Sequence, residues 1–295
     1  MTNHRIAKFF VLAASIAAVP ALSMAGNEMK ESKEVKSVVE AATESWITGD
    51  LGVTVVSSYI TRGILQENQG FIAQPYTDLY FKLYESEGFI NKVSLNLGLW
   101  SSLHSEHTGA IPGSNTPAWY EFDYTVGLAV TFAKNFTATT SYFEFNYPND
   151  AFGFTAQRNV NFNLAYDDSD LLGAFALRPH VAVLWNFNGI TGLGEEDAFY
   201  YEFGIAPGFA AGPVTFTIPL NVGLGDENFY PGDAYGYFSA GLSASVPLSF
   251  IPEKWGSWTF SAGFTYYNLG SSTEAANANQ DGNAYVGQGS IGLTF

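Results

Sequence analysis

From Leu51 to the end of the chain, apolar and polar positions alternate with a period of two. Val93, Leu95, Leu97 and Leu99 share one face of residues 92–100, and Lys92, Ser94, Asn96 and Gly98 share the other. Tyr120, Phe122, Tyr124, Val126, Leu128 and Val130 alternate in the same way with Glu121, Asp123, Thr125, Gly127 and Ala129. Extended backbone points successive side chains to opposite faces, so this period predicts strands and not helices. Twelve strands are predicted: residues 50–62, 74–84, 90–101, 118–132, 136–147, 158–167, 174–187, 198–209, 213–225, 233–247, 257–268 and 283–295. Their connections alternate between short (85–89, 133–135, 168–173, 210–212, 248–256) and long (63–73, 102–117, 148–157, 188–197, 226–232, 269–282).

The polar face is rich in Gly, Ser, Thr and Asn, whereas a soluble sandwich carries a strongly charged exterior. The apolar face is continuous and bulky. That combination predicts an all-β, transmembrane, antiparallel up-and-down barrel of about twelve strands, with lipid outside and a polar lumen inside. Short turns on the periplasmic side and long loops outside complete the pattern, with both ends of the barrel in the periplasm. On the last strand Tyr285, Gly287, Gly289, Ile291, Leu293 and Phe295 form the outward face. A terminal aromatic on an alternating strand resembles the signal read by the barrel-assembly machinery, so Phe295 is expected to act in assembly.

The first 46 residues break the alternation. His4, Arg5 and Lys8 precede a short apolar run, and Ser23-Met24-Ala25 supplies small residues for cleavage, so 1–25 reads as a signal peptide. Residues 26–46 read as a periplasmic leader with a short helical face (Val35, Val38, Val39, Ala42), or as a plug for the lumen. The barrel is then 47–295. Removing Arg5 and Lys8 with the signal leaves ten Lys+Arg against 28 Asp+Glu, a charge of −18. That acidity excludes a nucleic-acid footprint. The lack of Cys excludes a disulfide framework and thiolate chemistry, and 25 Phe, 17 Tyr and 6 Trp exclude disorder over most of the length.

The opening strand reads Ser57-Ser58-Tyr59-Ile60-Thr61-Arg62-Gly63-Ile64-Leu65-Gln66, and residues 92–102 continue as KVSLNLGLWSS. These segments resemble the S-x-Y-x-x-R-G-x-x-Q opening and third strand of a family of Gram-negative outer-membrane proteins. The likeness covers residues 50–102. It implies a barrel in the bacterial outer membrane with a porin-like role, and it brings no catalytic residue.

Inward phases predict a lumen lined by Arg62, Asp78, Lys82, Lys92, Trp100, Glu121, Asp123, Glu144, Arg178 and Glu202. Strand direction places Glu121, Asp123, Glu144 and Glu202 toward the outer mouth, and Lys82, Lys92 and Arg178 lower. Lys82 is expected nearly opposite Lys92, and Glu144 near Asp123. His104-Ser105-Glu106-His107 reads as exposed loop, and Asp167-Asp168-Ser169-Asp170 as a solvated turn. No cofactor and no metal site is expected. The reading that follows is a narrow passive channel for small hydrophilic solutes or ions, and not an enzyme. Its partners are outer-membrane lipids, lipopolysaccharide and the assembly machinery. A plugged structural barrel and a lipid-modifying enzyme are the alternatives.

Overall fold

The computed structural model describes residues 45–106, 118–148, 156–277 and 281–295; the signal peptide, the leader up to residue 44 and His107 lie outside them. Its strands are β1 (Ile47–Val56), β2 (Tyr59–Thr61), β3 (Ile64–Glu67), β4 (Ile72–Glu85), β5 (Ile90–His104), β6 (Ala118–Phe132), β7 (Phe136–Asn146), β8 (Ala156–Tyr166), β9 (His180–Asn188), β10 (Ala198–Ile205), β11 (Gly208–Ala211), β12 (Val214–Thr217), β13 (Leu220–Gly225), β14 (Tyr235–Pro247), β15 (Ser257–Leu269) and β16 (Asn283–Thr294). Two short helices, α1 (Ser169–Leu172) and α2 (Ser271–Ala276), lie between strands.

Twelve antiparallel staves form the wall, because β10 with β11 and β12 with β13 are the two halves of single staves. Pro207 and Pro219 mark those breaks. Neither carries an amide N–H, so neither donates to the ladder. The ring closes where β1 pairs with β16, from Asp50 opposite Thr294 to Val56 opposite Gln288. Closure leaves no strand edge exposed to hydrocarbon, which a membrane span requires. Phe295 extends the seam by exchanging two backbone hydrogen bonds of 2.9 Å with Gly49. Leu97, Leu99, Val126, Leu128, Phe203, Phe260, Phe264 and Tyr285 project outward as an exposed apolar belt. The predicted strand count holds around this ring.

Two boundaries and one register depart from the sequence reading in ways that bear on the lumen. The first stave ends at Val56 and not at residue 62, and the chain beyond it turns inward. The seventh begins at His180 and not at residue 174, because Arg178 takes a positive φ of 50° and Pro179 follows it. The turn before it is organised by a buried Asp168, whose carboxylate accepts from the amides of Leu177 (3.0 Å) and Arg178 (2.9 Å). It is therefore not a solvated run. Finally, a bulge between Lys82 and Tyr84 shifts the register, so Lys82 opposes Ser94 while Glu85 opposes Lys92. The expected Lys82–Lys92 juxtaposition does not form.

Candidate functional site

The end of the barrel that carries the long connections, expected above to be the outer mouth, is filled by the protein itself. Residues 57–71, expected as the end of a stave and an external loop, fold into the lumen as the β2–β3 hairpin. Arg62 and Gly63 form its two-residue turn, at φ values of 49° and 73°. Positive φ at both central positions is the turn geometry that matches strand twist in a tight hairpin, and glycine adopts it without steric cost. A Cβ on Gly63 would stand 3.1 Å from the Tyr237 ring and 3.3 Å from the Thr273 methyl. The R-G pair of the opening motif is therefore the tip of an internal plug.

Aromatic and polar contacts from several staves seat the hairpin. Tyr59 packs against Trp100 with ring centroids 5.5 Å apart, and its hydroxyl donates to Glu121 at 2.8 Å. The Tyr120 hydroxyl donates to the Gln66 side chain at 2.8 Å. The Arg62 guanidinium lies over the rings of Phe145 (5.5 Å) and Tyr200 (5.6 Å), which stand on separate staves. Its charge acts on Glu121 and Asp123. The loops above close over the hairpin. Tyr230 donates to the Arg62 carbonyl at 2.7 Å, and the Leu65 amide donates to Asn277 at 3.2 Å. Phe229, Tyr230 and Thr273 are buried in that second layer.

A second polar cluster joins the hairpin to the wall. Ser102 Oγ and His104 Nε2 are 2.8 Å apart, and Glu67 Oε2 lies 3.7 Å from His104 Nδ1. The other Glu67 oxygen accepts from the amides of Asn68 and Gln69, both at 2.8 Å. The order of groups is that of a serine–histidine–acid relay. Yet all three residues are buried beneath the plug, and Glu67 belongs to the plug. The cluster therefore ties the hairpin to the wall at β5. His104 ends β5 facing inward, stacked 4.6 Å from Tyr120, and is not in an exposed loop.

Below the plug the wall changes character. Thr137, Thr139 and Ser141 on β7, with Asn161 and Asn163 on β8, form two adjacent ladders of short neutral polar side chains facing the lumen. Asn96, Asn221, Ser239 and Ser243 continue this lining on other staves. Glu202 accepts hydrogen bonds from Tyr200 (2.7 Å) and Tyr237 (2.8 Å), and His180 Nε2 lies 3.6 Å from its other oxygen. Among the described residues no His/Cys/Asp/Glu group is arranged to hold a metal ion.

The residues singled out from sequence are distributed as follows. Trp100, Glu121 and Asp123 face inward around the hairpin, and Glu202 faces inward lower down. Asp78 is buried on the inward side of β4, directly opposite Asp50. Lys82 and Lys92 are half-buried at the inner rim, with Lys82 bonded to Glu85 at 2.7 Å. Arg62 is the tip of the plug and not a wall residue. Arg178 lies in the turn before β9, donating to the Ala206 carbonyl at 3.3 Å. Glu144 is on the opposite face from the one expected. It pairs with Tyr124 and Arg158 on the outer surface, accepting from Arg158 Nε at 2.9 Å and from Tyr142 at 2.6 Å. Asp123 therefore faces Phe145 and not Glu144. Polarity assigned the phase of this strand wrongly, because Phe143 and Phe145 turn inward to receive the plug. The findable signal was local: an X-Gly pair flanked by Tyr59-Ile60 and Ile64-Leu65 marks a hairpin turn.

No protein-family model matches the sequence, and no curated protein matches it. Solved structures do. An outer-membrane channel from Pseudomonas putida F1 is 10% identical, with a TM-score of 0.50 over 87% of this chain and 100% of that one. The transport unit of the autotransporter AIDA-I from Escherichia coli is 10% identical, with a TM-score of 0.43 over 92% and 95% of the two chains. OprB of Pseudomonas putida is 8% identical, with a TM-score of 0.40 over 84% and 94%. At such identities the likeness is one of architecture. With the closed ring and the exposed apolar belt, that architecture is a closed antiparallel β-barrel of the membrane-spanning kind.

Proposed function

We propose that the barrel is a narrow passive channel for small hydrophilic solutes, held shut at its outer mouth by the β2–β3 hairpin. The observation that carries this reading is the neutral polar lining beneath the plug, from Thr137, Thr139 and Ser141 to Asn161 and Asn163. A barrel of eight strands is filled by side chains and one of sixteen holds an open pore; twelve lies between. Short amides and hydroxyls exchange hydrogen bonds with water or solute, whereas a lumen filled only for stability is served better by apolar side chains. The hairpin is hinged at the outer rim and held partly by side-chain hydrogen bonds, each worth about 0.5–1.5 kcal/mol. The likeness of the opening motif to porin-like outer-membrane proteins supports the same reading. In it, the aromatic belt meets lipid and lipopolysaccharide, and Phe295 is what the assembly machinery recognises.

Planar-bilayer recording of the refolded protein tests the proposal. Wild type should show brief, infrequent openings, and a variant with residues 59–67 replaced by a short Gly-Ser link should conduct steadily. Heat-modifiable migration on gels confirms that the variant barrel is folded. A second reading, a structural barrel without transport, is favoured by the near-complete burial of Asn159, Asn161 and Asn163. It predicts silence from both proteins, and that outcome refutes the channel.

A further inference from the structure

The hairpin tip inserts a cation into a cage that has the composition of a recognition site. Arg62 is 4% exposed, with one face over Phe145 and the other element of the cage, Tyr200, on a separate stave. Glu121 and Asp123, 3% and 2% exposed, are the carboxyl groups on which its charge acts. One Glu121 oxygen accepts from Tyr59, and Asp123 is hydrogen-bonded to Glu121 and to the Asn146 backbone. The tip thus enters a desolvated acidic pocket walled by aromatic rings. A guanidinium suits such a cage better than an ammonium does, being planar, weakly hydrated and able to stack while donating to carboxylates. A cation beside two buried carboxyl groups offsets part of the cost of burying them.

The occupant, however, is mounted on the most detachable element of the molecule. The hairpin belongs to a separate two-stranded sheet, outside the ladder of the barrel wall. When it swings outward, Arg62 leaves and the cage stays, since Glu121, Asp123, Phe145 and Tyr200 all belong to the wall. We propose that this cage recognises small solutes bearing a guanidinium group, and that Arg62 is their built-in stand-in. A solute arriving from outside then competes with Arg62 for the same carboxylates and rings, and so favours the open hairpin. Its role in transport rests on the channel reading; the binding does not.

The test uses methylguanidinium, which reproduces the end of the arginine side chain, with sodium at equal ionic strength as control. Arg62→Asn removes the guanidinium but keeps a residue that tolerates the left-handed turn. In detergent, the refolded Arg62→Asn barrel should bind methylguanidinium saturably and at least about tenfold more tightly than wild type, the competing stand-in being gone. Adding Asp123→Asn should abolish that binding. An independent measurement uses wild-type Arg62 and a single Leu65→Cys, clean because the chain has no Cys. Methylguanidinium should raise its rate of maleimide labelling several-fold, and sodium should not. If folded Arg62→Asn binds methylguanidinium no better than sodium, or labelling of Leu65→Cys is indifferent to the probe, Arg62 is only a lock and the proposal fails. Binding without any conductance in bilayers leaves the recognition site standing and overturns the channel instead.

Discussion

The outer and middle levels of the lumen are formed by the same staves and are built differently. On β6, β7 and β8 the outer level presents Glu121, Asp123, Phe143 and Phe145; a few residues inward it presents Thr125, Gly127, Thr139, Ser141, Asn161 and Asn163. The outer level is packed like a protein interior, with rings against rings and each charge near an opposite charge or a hydroxyl donor. The middle level has small neutral side chains and no inserted element among the described residues. The difference teaches that a polar inward face does not by itself define a pore. Large inward side chains mark where the protein closes on itself, and short ones mark where it leaves the lining to solvent or solute.

Tyr59→Ala breaks this contrast most severely. It deletes a buried ring seated on Trp100 and leaves Glu121 without its donor, a truncation in the range of about 3–5 kcal/mol. The hairpin should become freely labelled at Leu65→Cys while heat-modifiable migration of the barrel persists; unchanged labelling would refute the seat described above. Gly63→Ala comes next. A side chain in the left-handed region costs about 1–2 kcal/mol, so the open population should rise about five- to thirtyfold. The same labelling rate checks it.

Asn161→Leu sharpens the other side of the comparison. It should lower conductance of the hairpin-shortened variant without changing hairpin labelling in the full chain, because Asn161 lies below the plug. Equal effects on both readouts would mean that the two levels are not separable. Glu144→Gln should do less. Its partner Arg158 is 45% exposed on the outer surface, so the ion pair is worth at most about 1 kcal/mol. The reversal potential in a salt gradient should not move, whereas a shift would return Glu144 to the lumen.

The smallest effect is in the covering loops. The Asp233 carboxylate accepts from the Ser271 hydroxyl (2.7 Å) and amide (3.1 Å) and from the Tyr235 amide (3.0 Å). These bonds, the Ser271 hydroxyl first, hold its pKa below the usual carboxylate value. The folded loop therefore binds that proton less readily than the unfolded chain does. Its contribution is complete at neutral pH and is lost as pH falls through the folded value, below about 4. Amide exchange at Ser271 should accelerate in that window, and Asp233→Asn should flatten the dependence.

Period-two alternation, alternating loop lengths and the aromatic load made the barrel and its strand number legible from the chain alone. Those properties are set residue by residue, because a strand with one face in lipid cannot slip by one position without burying its polar set. On β4, β5 and β6 the same rule puts Asp78, Trp100, Glu121 and Asp123 on the buried, inward side. It fails for Glu144, because what selects the phase of β7 is the hairpin that packs on Phe145, and that hairpin is remote in sequence. Nor does alternation show that Thr61 is the last residue before a reversal and not the next rung of a stave. Residues 57–71 continue the same polarity pattern whether they extend outward or fold inward. That choice depends on the Trp100, Glu121, Tyr200, Tyr230 and Asn277 side chains which only the closed ring brings together. The wall is decided by local period, and the closure of its mouth by contacts across the lumen that no single segment encodes.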